Sequence, residues 1–227
     1  MQITHLWVYL AFLQISGAGH DGLGVGQQAL FCPAFPQPGV NFPDNWEQIY
    51  PTWLVKLQYV VHGNFSAQHR KMKISQDDVP LSDSLAYVVE STTYATHVSS
   101  AVEARERLTC QNHRAINASN ASRKNLTATR IGATACARHG CFVSHSVVDS
   151  QKGEHQMNVD YPIYQALNYQ SQGIHLSILA YDVACQGQIN FLKQVQEDAY
   201  LQVPDGMDIV TAIRKLHLSA HKLECYP

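Results

Sequence analysis

The stretch Leu176–Gln186, LSILAYDVACQ, decides how the rest of the chain is read. An apolar run of strand-forming residues ends in Asp182, Cys185 follows three positions later, and Asn190 to Tyr200 then carries a helical pattern. A carboxylate at the end of a buried strand is where metal-dependent phosphoryl-transfer folds often place their acids, because a rigid strand fixes the oxygens an ion needs. The bland alternative is that Asp closes a strand as ordinary turn chemistry.

Working outward, further strands are expected at Trp53–Val61 and, after a break at His62-Gly63, in the partly alternating NFSAQHRKMK beside it. LAYVV, from Leu85, offers a third strand, and helices are expected over Tyr94–Arg107, Tyr161–Ser171 and Met207–Tyr226. Strands and helices interleave, so the fold class is α/β with mixed character. Between Cys110 and Asn158 the chain is rich in Asn, Ser, Gly and His and has little periodicity. A loop of that length in a compact domain calls for something to staple it. At the other end, a short helix and the Gly-rich GAGHDGLGVG lead into CPAFPQPGVNFPDNW, whose four prolines forbid a regular helix or a central strand.

The chain of 227 residues is 45% hydrophobic and 15% charged with a formal net charge of -2, which excludes a disordered or strongly basic protein. Charge is nevertheless uneven. Seven of the sixteen Lys and Arg lie between Arg105 and Arg138, where Glu106 is the only acid. If a face meets nucleic acid, Arg105, Arg107, Arg114, Arg123, Lys124, Arg130 and Arg138 are its candidates. A solvated surface is the competing reading.

Several of the six cysteines fall close to histidines. Cys110-x2-His113 and Cys136-x2-His139-x-Cys141 are two knuckle-like pairs that one turn of backbone could present to a tetrahedral Zn2+, with either His139 or Cys141 as the fourth ligand. His217, His221 and Cys225 stand at i, i+4 and i+8, on one face of a helix, and Cys185 could complete a second site with them. Cys32 lacks the partner that a CPxC knuckle needs, since Phe35 stands there, and is available to Cys110 and His113. A secreted, disulfide-linked glycoprotein is the remote alternative: the cysteine number is even, and N-x-S/T triplets start at Asn64, Asn117, Asn120 and Asn125. The apolar run Leu6–Ile15 has no basic residue before it, as a signal peptide requires, and is too short to span a bilayer.

In order, the blocks GAGHD, CPAFPQPGVNFPDNW, GNFSAQHRKMK, CQNHRAIN, CARHGCFV, VVDSQKGEHQMNVDY, YDVACQ and LHLSAHKLEC resemble the Kyakuja-Dileera-Zisupton (KDZ) transposases of fungi with their associated CxC-type cysteine-cluster element. The resemblance implies a nuclear, DNA-acting, cut-and-paste enzyme. Its core would be RNase H-like and interrupted by a zinc-binding, loop-rich insertion, here at about residues 108–158. Residues 1–52 would be the lead and cysteine-cluster remnant, and 53–227 the core. It makes Asp182 a metal-binding acid and Cys110, His113, Cys136, His139, Cys141, Cys185, His217, His221 and Cys225 members of the Cys/His pattern.

The departures from the family pattern bear on activity. His62 replaces the Asp of DGNF, Phe35 a Cys of CPAC, and an apolar lead the basic one before GRGHD. The sequence also stops before the DGE-containing segment, so that Asp182 is what remains of an acidic triad. A Mg2+ pair needs several carboxylates to offset its dehydration. The expectation is therefore a truncated transposase that binds structural Zn2+ but not Mg2+ and is inactive, or a zinc-stapled DNA-binding module without catalysis.

Overall fold

Alternation in one strand builds the centre of this fold. In β1, Leu57–Asn64, the side chains of Leu57, Tyr59 and Val61 are buried, while the residues between them face the other way. The computed structural model describes residues 6–7, 10–11, 13–15, 17, 23–64, 66–74, 76, 83–100, 125–150, 156–182, 184, 191, 201–215, 217–218 and 221. Among these, a short helix α1 (Trp46–Ile49) precedes β1. β2 (His69–Arg70), α2 (Ser91–Ser100), β3 (Leu126–Ala128), β4 (Arg130–Cys136), β5 (Phe142–Ser150), α3 (Gln156–Asn168), β6 (Leu176–Ala180) and β7 (Asp208–Ala212) follow.

The main sheet among the described residues has the order β5-β4-β1-β6-β7. β4 runs antiparallel to β1 and β5 antiparallel to β4, whereas β6 is parallel to β1 and β7 parallel to β6. The protein is thus mixed α/β, with a mixed sheet.

Several expectations change here. The first strand runs on through His62-Gly63 to Asn64, whose Oδ1 accepts from the Ser66 and Ala67 N–H groups and closes the turn. His69–Arg70 pairs with β3, not with β1. Leu85–Val89 makes one bridge, Val88 to Val147, beside β5 instead of a full strand. The described part of the stretch expected to be structureless, from residue 125 on, supplies β3, β4 and β5, two of them in the main sheet. Sheet neighbours satisfy its backbone, so it needs no staple for that purpose. Helix was expected at Met207, yet Asp208–Ala212 is a strand. Its Ile209, Val210 and Thr211 are β-branched, and β6 offers a parallel edge to join. The helix expected at Asn190–Tyr200 lies outside the described residues, apart from Phe191.

The core joins the proline-rich lead to the sheet. Cys32, Phe35, Trp46 and Val55 share one cluster with Leu57, Tyr59, Val143, Leu167 and Leu179. The Phe35 ring sits 5.1 Å from that of Tyr59, and Trp46 Nε1 donates to the Gly173 carbonyl at 3.0 Å. Phe35, which stands where a knuckle would need a thiol, is therefore a core residue. A smaller cluster forms where Tyr94 of α2 packs on Tyr161 of α3 and its hydroxyl donates to Asn158 Oδ1 at 2.9 Å. No helix among the described residues is long and apolar enough to cross a membrane.

Candidate functional site

Two groups of chemistry-bearing side chains emerge, one beside the β4–β5 turn and one at the carboxyl ends of β1 and β6.

At the first, β4 ends in Cys136 and the chain reverses through His139 and Gly140. The Gly140 N–H donates to the Cys136 carbonyl and the Cys136 N–H to the Cys141 carbonyl, each at 2.8 Å. Gly140 takes φ +67, a left-handed conformation that glycine adopts freely. Opposite stands Cys32, in its own tight turn, with the Phe35 N–H on the Cys32 carbonyl at 3.1 Å. Cys32 Sγ lies 3.4 Å from His139 Nδ1 and Cys136 Sγ lies 4.0 Å from it. The three ligand atoms all fall within 4.8 Å of one another.

Tetrahedral zinc with thiolate and imidazole ligands separates S and N by about 3.5 Å, so the donor set and its spacing fit a metal ion. Burial pushes the Cys32 thiol up to about 11, partly offset by the Ala34 N–H that bonds the sulfur and reinforced by neighbouring Cys136. Such a thiol is kept neutral unless a cation compensates its charge. Cys141, exposed, also acts electrostatically on Cys32. The described cysteines, Cys32, Cys136 and Cys141, are free thiols. Cys32 thus meets Cys136 and His139; the suggested partners Cys110 and His113 lie outside the described residues, as do Cys185 and Cys225.

The second group lies just beyond the β1–β6 pairing. The ladder ends with Val60 opposite Ala180, and His62 of β1 lies near Asp182, two residues past the end of β6. His62 Nδ1 is 3.8 Å from Asp182 Oδ2, and His217 Nε2 is 3.2 Å from Asp182 Oδ1. His221 Nε2 donates to the Asp182 carbonyl at 2.7 Å. Neither His217 nor His221 is α-helical. The N–H groups of His217, Leu218 and His221 each bond the carbonyl three residues back, as in tight turns. Asp182 Oδ1 is shut off from solvent and receives no properly directed hydrogen bond despite the nearby imidazole.

Beside this group a small pocket opens between β1, β4 and α3, lined by His62, Arg130, Ser150, Asn158, Pro162 and Tyr181. Pro162 lies inside α3 and cannot donate to the carbonyl of Asn158 one turn back. Arg130 is only 5% exposed, so it belongs to this interior and not to an exposed basic face. Arg138 is exposed on the β4–β5 turn, whereas Arg105, Arg107, Arg114, Arg123 and Lys124 lie outside the described residues.

The Kyakuja-Dileera-Zisupton transposase family model matches residues 55–226, well over half of the chain. The chain belongs to this family. No curated protein and no solved structure matches it. Within the KDZ span lie Asp182, His62 and the turn from Cys136 to Cys141, whereas Cys32 comes from the segment before it.

The KDZ assignment implies Mg2+ at the strand ends, and the residues brought together there fit that ion poorly. Mg2+ calls for near-octahedral oxygen ligation, but the side chain 3.8 Å from the Asp182 carboxylate is the His62 imidazole, which offers nitrogen and no carboxylate oxygen. The sequence reading put His62 and Asp182 in one site and missed that His217 and His221 come to Asp182 as well.

Proposed function

We propose that this KDZ chain is a transposase-type domain with an RNase H-like core that does not cut or join DNA. The core reading is supported by the mixed sheet, in which three antiparallel strands, β5, β4 and β1, are extended by parallel β6 and β7. One observation carries the catalytic part: His62 stands 3.8 Å from Asp182, just past the last paired residues of β1 and β6, where a two-metal phosphoryl-transfer site needs a second carboxylate. Asp182 keeps its carboxylate, and that carboxylate faces the imidazoles of His62 and His217.

The Cys32, Cys136 and His139 cluster acts in this reading as a structural Zn2+ site, with Cys141 as the fourth ligand. It ties the lead to the β4–β5 hairpin. DNA is the partner, and the nucleus the location, that the family suggests. Exposed Arg138 within the metal-binding turn favours DNA contact without catalysis, which would show as duplex affinity that falls with salt and with neutralisation of that side chain.

A nicking and strand-transfer assay on supercoiled plasmid tests the catalytic part, with Mg2+ or Mn2+ supplied to wild type and Asp182→Asn. Neither protein is expected to turn over. Nicking by wild type that disappears in Asp182→Asn would overturn the reading.

A further inference from the structure

We propose that Cys32 and Cys136 form a site of reversible oxidation, at which a peroxide joins the two sulfurs in a disulfide that replaces the ion as the tie between the lead and the β4–β5 hairpin. The replacement rests on the structural Zn2+ reading above; the linkage needs only the two thiols and their geometry. In the nucleus, the location the family suggests, disulfides are rare, and those that form in reducing compartments are usually transient and redox-sensing.

Packing brings the two sulfurs together without help from a metal. Phe35, just after Cys32, sets its ring 5.1 Å from that of Tyr59, and Tyr59 is paired with Cys136 across β1 and β4. Cys32 and Cys136 belong to the same buried cluster. Their Sγ atoms lie within 4.8 Å of each other, and the two thiols share a hydrogen bond. A disulfide brings its sulfurs to about 2.05 Å, so the pair closes by side-chain rotation and a shift of the turns that carry it.

Those turns have room to adjust. Cys32 opens the turn closed by the Phe35 N–H, and Cys136 precedes the reversal at Gly140, around which space is open. His139 lies near both sulfurs, at 3.4 and 4.0 Å, and is exposed, so it can swing outward when they join. A small oxidant reaches the buried pair from the side of His139 and Cys141, both exposed. Burial, which holds the Cys32 thiol neutral, slows attack on that oxidant and so affects the rate of the reaction, not its product.

One thiolate sulfur attacks the peroxide, forming an S–O bond as the O–O bond breaks and hydroxide leaves. The second thiolate attacks the sulfenic sulfur so formed, making the S–S bond as the S–O bond breaks and a second hydroxide leaves. Each hydroxide takes up a proton. The two sulfurs have then given two electrons to the peroxide, which ends as two waters. The linked sulfurs are no longer thiolates, the form in which cysteine binds a metal, so the disulfide and the ion exclude each other. An excess of a small thiol reverses the linkage by exchange.

The test uses the full wild-type chain in two forms, stripped of metal and loaded with Zn2+, each treated with hydrogen peroxide to completion. Non-reducing digestion with mass spectrometry identifies the linked peptides, free thiols are counted, and a chromophoric chelator reads released Zn2+. Both forms should yield a Cys32–Cys136 peptide pair with the loss of two thiols per link. The loaded form should release its ion in step with linkage, and dithiothreitol should restore the thiols and the capacity for Zn2+. Cys32 left unlinked, Cys136 joined to Cys141 instead, or linkage without release of the ion would overturn the proposal. A chain that forms the link but never takes up Zn2+ would overturn the structural-ion reading, and with it the replacement, while the linkage stands.

Discussion

Cys32 Sγ and His139 Nδ1 stand 3.4 Å apart although 107 residues separate them in the chain. The contact ties a proline-rich lead without regular strands to the hairpin at one side of the sheet, and Cys136 completes the group. An ion held here would therefore be worth folding energy, because its ligands are dispersed in the unfolded chain.

Removing that ion is expected to lower the stability of the whole fold. Chelation of wild type, or Cys32→Ser, should cost at least about 3 kcal/mol, or about 6–12 °C in Tm for a chain of this size. The two losses should not add. Differential scanning calorimetry with and without chelator checks this, and an additive result would mean that Cys32 is not a ligand.

Gly26 meets the sheet where no side chain fits. It has φ +71, and a Cβ built there would lie 2.6 Å from Tyr169 Cε2 and 2.9 Å from Ser144 Cβ. Gly26→Ala combines left-handed strain with overpacking and is expected to destabilise by about 2–4 kcal/mol. Urea denaturation measures the change; a loss below about 0.5 kcal/mol, the range of neutral surface changes, would contradict the packing.

Tyr59 presents a polar tip inside the core. Its hydroxyl donates to the Ala166 carbonyl at 2.9 Å, and burial raises its pKa well above the ordinary phenol value, so it stays protonated and keeps donating. Tyr59→Phe leaves the shape but removes the donor, at an expected cost of about 1–2 kcal/mol. Equilibrium unfolding with an unchanged m-value would isolate that loss from any change in the denatured state.

His145 makes stability depend on pH. It lies in the β5 bulge, where four residues of β5 oppose Thr134 alone and His145 takes φ +53. Burial lowers its pKa below the ordinary 6.5. As pH falls below about 6.5, the unfolded chain takes up the proton before the folded one, so stability is complete above that value and declines through the window beneath it. Asn tolerates left-handed φ, and His145→Asn should flatten this part of the pH profile. A profile that keeps its slope in the variant would place the titration elsewhere.

Local chemistry was legible in the sequence where a single element carries it. The alternation of Leu57, Tyr59 and Val61, the apolar run before Asp182, the helix around Tyr161–Asn168 and the short Cys136 to Cys141 ligand spacing all follow from residues a few positions apart. Their periods are set by the backbone itself. The KDZ span is of the same kind, being a pattern of ordered blocks along the chain.

What only the tertiary structure decided is which distant elements meet. Whether Cys32 joins Cys110 or Cys136 depends on the path of the lead across the core, and no local preference encodes it. Ile209, Val210 and Thr211 form a strand because β6 presents an edge to them. Their β-branched side chains lean toward a strand, but that preference is realised only where a neighbouring edge gives it packing. His217 and His221 reach Asp182 from a later segment, an approach that no local period encodes. The sequence by itself determined which donors this protein carries; the tertiary packing decided which of them come together.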